Sequence, residues 1–265
     1  MIERVLLLGL LALCSCCVLA AAPQTVFLEE LTWTEVRDEI RAGRTTVIVP
    51  VGGTEQSGPA IALGKHNTRA RLLAGRIALE LGNALVAPVL AYVPEGNVAP
   101  PTGHMRFTGT ITMADSTFEQ VIEFAARSFK QHGFRNIVLL GDHGGYQKNL
   151  QTVADRLNRQ WSSTPVRVLA VTEYYRAGQT DFTQLLKQRG FRDEEIGIHA
   201  GLADTALMLA LDARLVRADR LQQPLGAADG VQGDPRRATA EIGQIGVDAI
   251  VARTVEAVRR GTARH

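Results

Sequence analysis

The chain has 265 residues, a net charge of +2, and acidic and basic residues mixed along its length. No Lys/Arg block and no aromatic-basic interleaving marks a nucleic-acid surface, so no nucleic-acid partner is expected. The length allows one sizeable core.

The first segment reads as a secretory leader. Val5 to Leu13 is an apolar run after a single Arg4, and Ala20, Ala21 and Ala22 follow. The run is too short to span a bilayer as a folded helix. Residues 1–21 are therefore expected as a signal peptide, cleaved after Ala20 or Ala21, and residues 22–265 as a single exported domain, periplasmic or secreted. Leu13-Cys-Ser-Cys16 is a poor version of a lipoprotein cleavage signal. Cys14, Cys16 and Cys17 are the only cysteines, so the mature chain has no disulfide, thiol nucleophile or thiolate metal site. Once the leader is cleaved, no membrane contact is expected.

Thr32 or Thr34 can cap a first helix through about Ala42. Thr45 to Val51 reads as a buried strand ending in Gly52-Gly53-Thr54-Glu55. A polar loop leads to Asn67, a good N-cap for a helix to Leu81 with Gly82 as its stop. Ala84 to Leu90 reads as a strand. Pro94 to Thr110 is a long loop rich in Pro and Gly, and long loops in compact domains are usually functional. Ser116-Thr-Phe-Glu119 has the spacing of a capping box for a helix ending at Gly133.

Ile137 to Leu140 is a compact apolar run that stops at Gly141-Asp-His-Gly-Gly145, the look of a strand buried on both faces. A helix to about Trp161 follows, then a strand from Val166 to Val171, a short helix over 181–190, a helix from Ile198-His199 to Leu211, a turn over 229–235 and a last helix to about Arg260. Strands alternating with helices predict a three-layer α/β/α sandwich with a mostly parallel central sheet. That places Glu55 and His143 just past the carboxyl ends of strands, where ligands collect in such sheets.

The residues able to carry chemistry are Glu55, His66, His104, Asp142, His143, His199 and Asp204. A lone histidine is more often structural than a ligand, and none of these lies in a dense spacing motif. His132 at a helix C-terminus is simply favourable there. Ser57 is not on a nucleophile elbow. Neither Gly52-Gly53 nor Gly144-Gly145 has the fuller fingerprint of a phosphate loop.

Five stretches taken in order resemble the creatininase family of metal-dependent amidohydrolases. They are Val49-Pro-Val-Gly-Gly-Thr-Glu-Gln-Ser-Gly-Pro-Ala-Ile-Ala-Leu-Gly-Lys-His66, Gly103-His-Met-Arg-Phe-Thr-Gly-Thr110, Gly141-Asp-His-Gly-Gly145, His199-Ala-Gly-Leu-Ala-Asp-Thr-Ala206 and Gly230-Val-Gln-Gly-Asp-Pro235. The resemblance spans about residues 30 to 256. It implies a creatininase-like fold, a small-molecule substrate and a homo-oligomer, commonly a hexamer. The implied activity is opening of a cyclic amide or a related C–N bond by metal-activated water.

The departures shape the expected site. Ser57 stands where the family has a metal-binding His, His66 where it has a bridging Asp, and Gly145 at a later acidic position. Leu202 and Asp204 stand where it carries Glu. The resemblance therefore leaves Glu55, His66 and His143 as a three-ligand set for one divalent ion per subunit, suited to zinc, iron or manganese. It makes His199 the candidate for proton transfer. Asp142 is expected to orient His143 or to cap the next helix. His104 and Asp204 are expected to face the substrate, with a loop-stapling hydrogen bond as the bland role of His104. Two rival readings are a silent binding protein on the same scaffold and a mononuclear-iron enzyme of another reaction class.

Overall fold

A computed structural model describes residues 25–263. The expected leader, its cleavage point and Cys16 lie outside the described residues.

The order is α1 (Trp33–Arg41), β1 (Thr46–Val51), α2 (Lys65–Leu81), β2 (Ala84–Val86), α3 (Asp115–His132), β3 (Asn136–Gly141), α4 (Gln147–Gln160), β4 (Arg167–Ala170), α5 (Thr172–Arg176), α6 (Phe182–Lys187), α7 (Asp193–Ile196), α8 (Leu202–Asp212), α9 (Ala218–Leu221) and α10 (Ala240–Thr262). The four strands form one parallel sheet in the order β2-β1-β3-β4. This is the expected α/β fold with helices on both faces.

Alternation along the strands builds two cores. Ile48, Val138 and Leu140 face a layer made by α2, α8 and α10 and the α5–α6 segment. Val47, Val49, Ile137 and Leu139 face the opposite layer, made by α3 and α4 with α1 at its edge. Burying each such side chain contributes roughly 1.5–3 kcal/mol, so the two apolar layers hold the domain.

Local signals explain where the elements start and stop. Thr32 caps α1 through a capping box with Glu35. Gly82 and Gly133 end α2 and α3 in the left-handed conformation. The strand expected to reach Leu90 stops at Val86, just ahead of Pro88, which has no N–H for the ladder. The Ser116 box does not form: α3 starts at Asp115, behind Ala114. Asn67 is not a cap either. The helix begins two residues earlier, and the Asn67 side chain instead accepts the Gly53 N–H at 3.0 Å. The short helix expected over 181–190 is the end of a longer one. α5 runs into α6 through a π-helical turn, Ala177–Asp181, a feature that often marks functional sites.

Candidate active site and metal centre

The carboxyl ends of β1 and β3 open onto a polar cavity of about 200 Å³, which also takes lining residues from α2, the 103–106 turn, the π-helical turn and the start of α8. A buried phenol fixes the two strand ends. The Tyr146 hydroxyl accepts the N–H groups of Asp142 (3.1 Å) and His143 (3.0 Å) and lies 2.6 Å from the Gly52 carbonyl oxygen, to which it donates.

Glu55 is the centre of the site and is 0% exposed. Its Oε1 meets His66 Nε2 at 2.7 Å and Lys65 Nζ at 3.4 Å. Its Oε2 points the other way, 3.1 Å from His104 Nε2 and 3.4 Å from His143 Nε2. Burial pushes the Glu55 carboxyl up, but the neighbouring His66 and Lys65 overcome this and hold it well below the usual carboxylate range.

Glu95, from the long loop, brings a second carboxylate. Its Oε2 is 3.7 Å from His143 Nδ1. Burial, and then the Glu55 charge beside it, push its carboxyl up to about 9. The approach depends on Gly53, at φ 148°, where an added Cβ would come within 2.7 Å of Glu95 Oε1. Beside it, an added Cβ at Gly145 would sit 3.6 Å from the Pro94 carbonyl oxygen. The loop thus delivers an acid near the position where the chain has glycine in place of the family's acidic residue.

Glu55, Glu95, His104 and His143 each offer one donor atom within 4.8 Å of the others. Glu55 Oε2 and both Glu95 oxygens are buried with no hydrogen-bond partner. Orphaned carboxylate oxygens facing imidazole nitrogens are the donor set of a divalent ion, so the residues present fit a metal. Burial lowers the pKa of His104 and takes that of His143 down to about 3, which keeps these rings in the neutral form that binds metal.

His66 is not in this group. Its Nδ1 lies 2.5 Å from Asp142 Oδ2 and its Nε2 faces Glu55, so both ring nitrogens have carboxylate partners. The expected set of Glu55, His66 and His143 is thus not the one the structure brings together around an open position; Glu95 and His104 stand beside Glu55 and His143 instead. Asp142 does not touch the His143 ring, and its carboxylate does not cap the next helix. It is 3% exposed and receives Arg69 Nε (2.8 Å) and the Tyr174 hydroxyl (2.6 Å) besides His66. Burial raises its pKa, but Arg69 and His66 bring it below the usual range.

Asp204 lies at the cavity floor, paired with Lys65 Nζ at 3.0 Å and Arg69 Nη1 at 2.7 Å. Against burial, these two cations hold its pKa well below the ordinary value. Its carboxylate is therefore occupied inside the protein.

His199 stands at the wall, where its strand segment bridges Gln232. Its Nε2 is 2.9 Å from the Gln56 carbonyl oxygen, to which it donates, and its Nδ1 lies 3.7 Å from Glu55 Oε1. Burial, then Lys65, lowers its pKa to about 4. Gln56 ties the wall together. Its Oε1 accepts the Gly58 N–H at 2.9 Å, which turns its Nε2 toward His104 Nδ1 at 3.0 Å. His104 thus presents Nε2 toward Glu55. Tyr175, Gln179 and Gln232 complete the lining with neutral hydrogen-bonding groups.

Sequence reasoning missed Glu95, Gln56, Lys65 and the π-turn residues. The one available signal for Glu95 was an acid between Pro94 and Gly96 in a loop already marked as functional.

The strand ends of a parallel α/β sheet here gather carboxylates and imidazoles around a small polar cavity, the arrangement of a hydrolase fold with a candidate metal site. The family model described as creatinine amidohydrolase matches residues 29–258, and the chain belongs to the creatininase family. It is 29% identical over 203 residues to the creatinine amidohydrolase of Pseudomonas putida, covering 75% of this chain and 76% of that one. It is 26% identical over 190 residues to a 3-dehydro-scyllo-inosose hydrolase of Thermotoga maritima, covering 71% of this chain and 57% of that protein. The crystal structure of a creatinine amidohydrolase superposes with a TM-score of 0.75 at 25% identity, covering 91% of this chain and 100% of that one. Further creatininase structures are described as Zn-Zn and Mn forms, both at a TM-score of 0.72, with 26% and 27% identity and 90% of this chain covered.

Proposed function

We propose that this protein hydrolyses a small cyclic amide, or a related C–N bond, with one divalent ion per subunit held by Glu55, Glu95, His104 and His143. The observation that carries the reading is the set of three orphaned oxygens on Glu55 and Glu95, facing two neutral imidazoles at the cavity floor. When bound there, such an ion polarises a carbonyl and acidifies water near neutral pH.

The chain's own groups do the rest. His199 is neutral, with Nε2 committed to the Gln56 carbonyl, so Nδ1 is the atom that takes a proton from the attacking water and returns it to the leaving nitrogen. Tyr175, Gln179 and Gln232 offer uncharged donors and acceptors that orient a small ring. Lys65 and Arg69 neutralise Asp204 and Asp142 beneath the cavity, which holds the floor rigid.

The proposal includes export of the mature chain and assembly into an oligomer, read by fractionation and by light scattering. The chemistry is tested by loading purified protein with zinc, manganese or iron(II) and screening lactams, hydantoins and lactones. Ring opening that needs the metal supports the reading. Stoichiometric metal with no turnover across the panel favours the binding scaffold or an iron enzyme of another class.

A further inference from the structure

We propose that Lys65 is the protein's own cation in this site, filling a position between Glu55 and Asp204 that would otherwise take a second divalent ion. The inference rests on the metal-hydrolase reading above. Lys65 opens α2 with its side chain 0% exposed. Its ammonium lies 3.0 Å from Asp204 Oδ2 and 3.4 Å from Glu55 Oε1, two carboxylates from segments 149 positions apart in sequence. His199 Nδ1 is 3.7 Å from that same Glu55 oxygen. Two carboxylate oxygens from separate segments converge on one buried charged atom, a place a divalent cation could take and here taken by an amine.

The alternative is that Lys65 is only a structural ion-pair partner. Burying an ammonium and fixing its four-carbon stem is costly, and apolar replacements of buried ion pairs are often neutral or better for stability. The placement makes sense through what it does to Glu55. It occupies Oε1, leaves Oε2 for the His104 and His143 side, and sets a positive charge where another cation would have to stand. Lys65 lies at the edge of the cavity with its ammonium paired to both carboxylates, so it acts through Glu55 and Asp204 as a positioning residue.

The test is metal stoichiometry and affinity, read without activity. Mature protein is stripped with a chelator, dialysed against Zn²⁺ or Mn²⁺ at graded concentrations and analysed for bound metal. The wild type should hold one ion. Lys65→Ala, which removes the charge and opens space between the carboxylates, should hold two. Lys65→Met, which keeps the volume and loses the charge, should stay at one and bind it at least about tenfold more tightly, because a nearby positive charge is gone. One ion in Lys65→Ala with the wild-type dissociation constant overturns the assignment and leaves the hydrolase reading standing. Should Lys65→Ala fail to fold, an unchanged dissociation constant in Lys65→Met overturns it equally. No ion in the wild type removes the metal reading and this inference together.

Discussion

His66 and Glu55 are joined at 2.7 Å, and that contact turns the histidine away from the position that the open donor atoms surround. With Asp142 on its other nitrogen, His66 completes a chain of buried polar groups, Arg69–Asp142–His66–Glu55, that runs from α2 past the end of β3 to the loop after β1. The histidine braces the carboxylate and leaves only one Glu55 oxygen, Oε2, unpaired.

His66→Ala should therefore damage the fold more than the metal count. Removing one member of a buried, hydrogen-bonded set leaves Asp142 and Glu55 each short of a partner, a loss of roughly 3–5 kcal/mol. Urea unfolding of the chelator-treated variant measures it. Bound metal should remain one ion per chain under saturating conditions. A variant with wild-type stability that no longer binds metal would restore His66 as a ligand.

Glu95→Gln should separate two effects. The wild-type carboxyl is buried beside Glu55, a like charge that only a cation or a proton relieves. Without metal, the neutral amide should raise the melting temperature. With metal, a lost carboxylate ligand should weaken binding by roughly a hundredfold or more, beyond the usual effect of changing an outer hydrogen-bond partner. Calorimetry on stripped protein and competition with a chromogenic chelator read the two changes. A lower melting temperature with unchanged affinity would sink both the repulsion argument and the ligand assignment.

The sheet was legible in the sequence because parallel strands covered on both faces read as short apolar runs, and Thr45–Val51 and Ile137–Leu140 are such runs. Strand-end glycines beside Glu55 and His143 marked where chemistry would collect. The direction of each side chain was not legible. His66 and Glu55 are 11 positions apart, but nothing local says that Asp142 and Arg69 capture the ring. Glu95 was hidden for a related reason. A loop acid has no periodicity, and its place beside Glu55 comes from chain closure over Gly53. The π-helical turn was hidden because Gly178 and Gln179 interrupt the apolar pattern on which helix recognition depends.

The expected leader makes a prediction independent of the site. Protein recovered from its native host should begin near Ala21 or Ala22, from the Val5–Leu13 run and the alanine cluster behind it. N-terminal sequencing of the periplasmic or secreted fraction reads it directly. An intact Met1 on soluble cytoplasmic protein would refute both the signal and the compartment.

Acid sensitivity should come partly from Glu195, which anchors the segment leading to His199. Hydrogen bonds from Arg237, then from the Arg192 backbone and side chain, lower its pKa to about 2. A carboxyl depressed in the fold stabilises it above the unfolded pKa, near the ordinary 4.5, and loses that contribution as the pH falls through the folded value. The window is therefore about pH 4.5 down to about 2. Glu195→Gln should lower stability at pH 7 and flatten the fall across that window, as followed by urea midpoints at several pH values. An identical pH profile in both proteins would exclude Glu195 as a contributor.

His199→Asn tests the assignment of proton transfer. The asparagine keeps a polar side chain near the Gln56 carbonyl but offers no group that both takes and returns a proton. Positioned general acid–base groups contribute roughly 10²–10⁴-fold to rate, so kcat on whichever ring substrate the screen identifies should fall by about that factor. Metal content should stay at the wild-type value, because His199 lies outside the Glu55, Glu95, His104 and His143 group. KM should move little, since the loss falls on the transition state and not on ground-state binding. The pKa of His199 is lowered to about 4, by burial and then by Lys65, so the wild-type rate should rise with pH through that region and the variant should lack that limb. A variant that retains kcat, or loses metal together with activity, would move His199 from proton transfer to a structural role at the cavity wall.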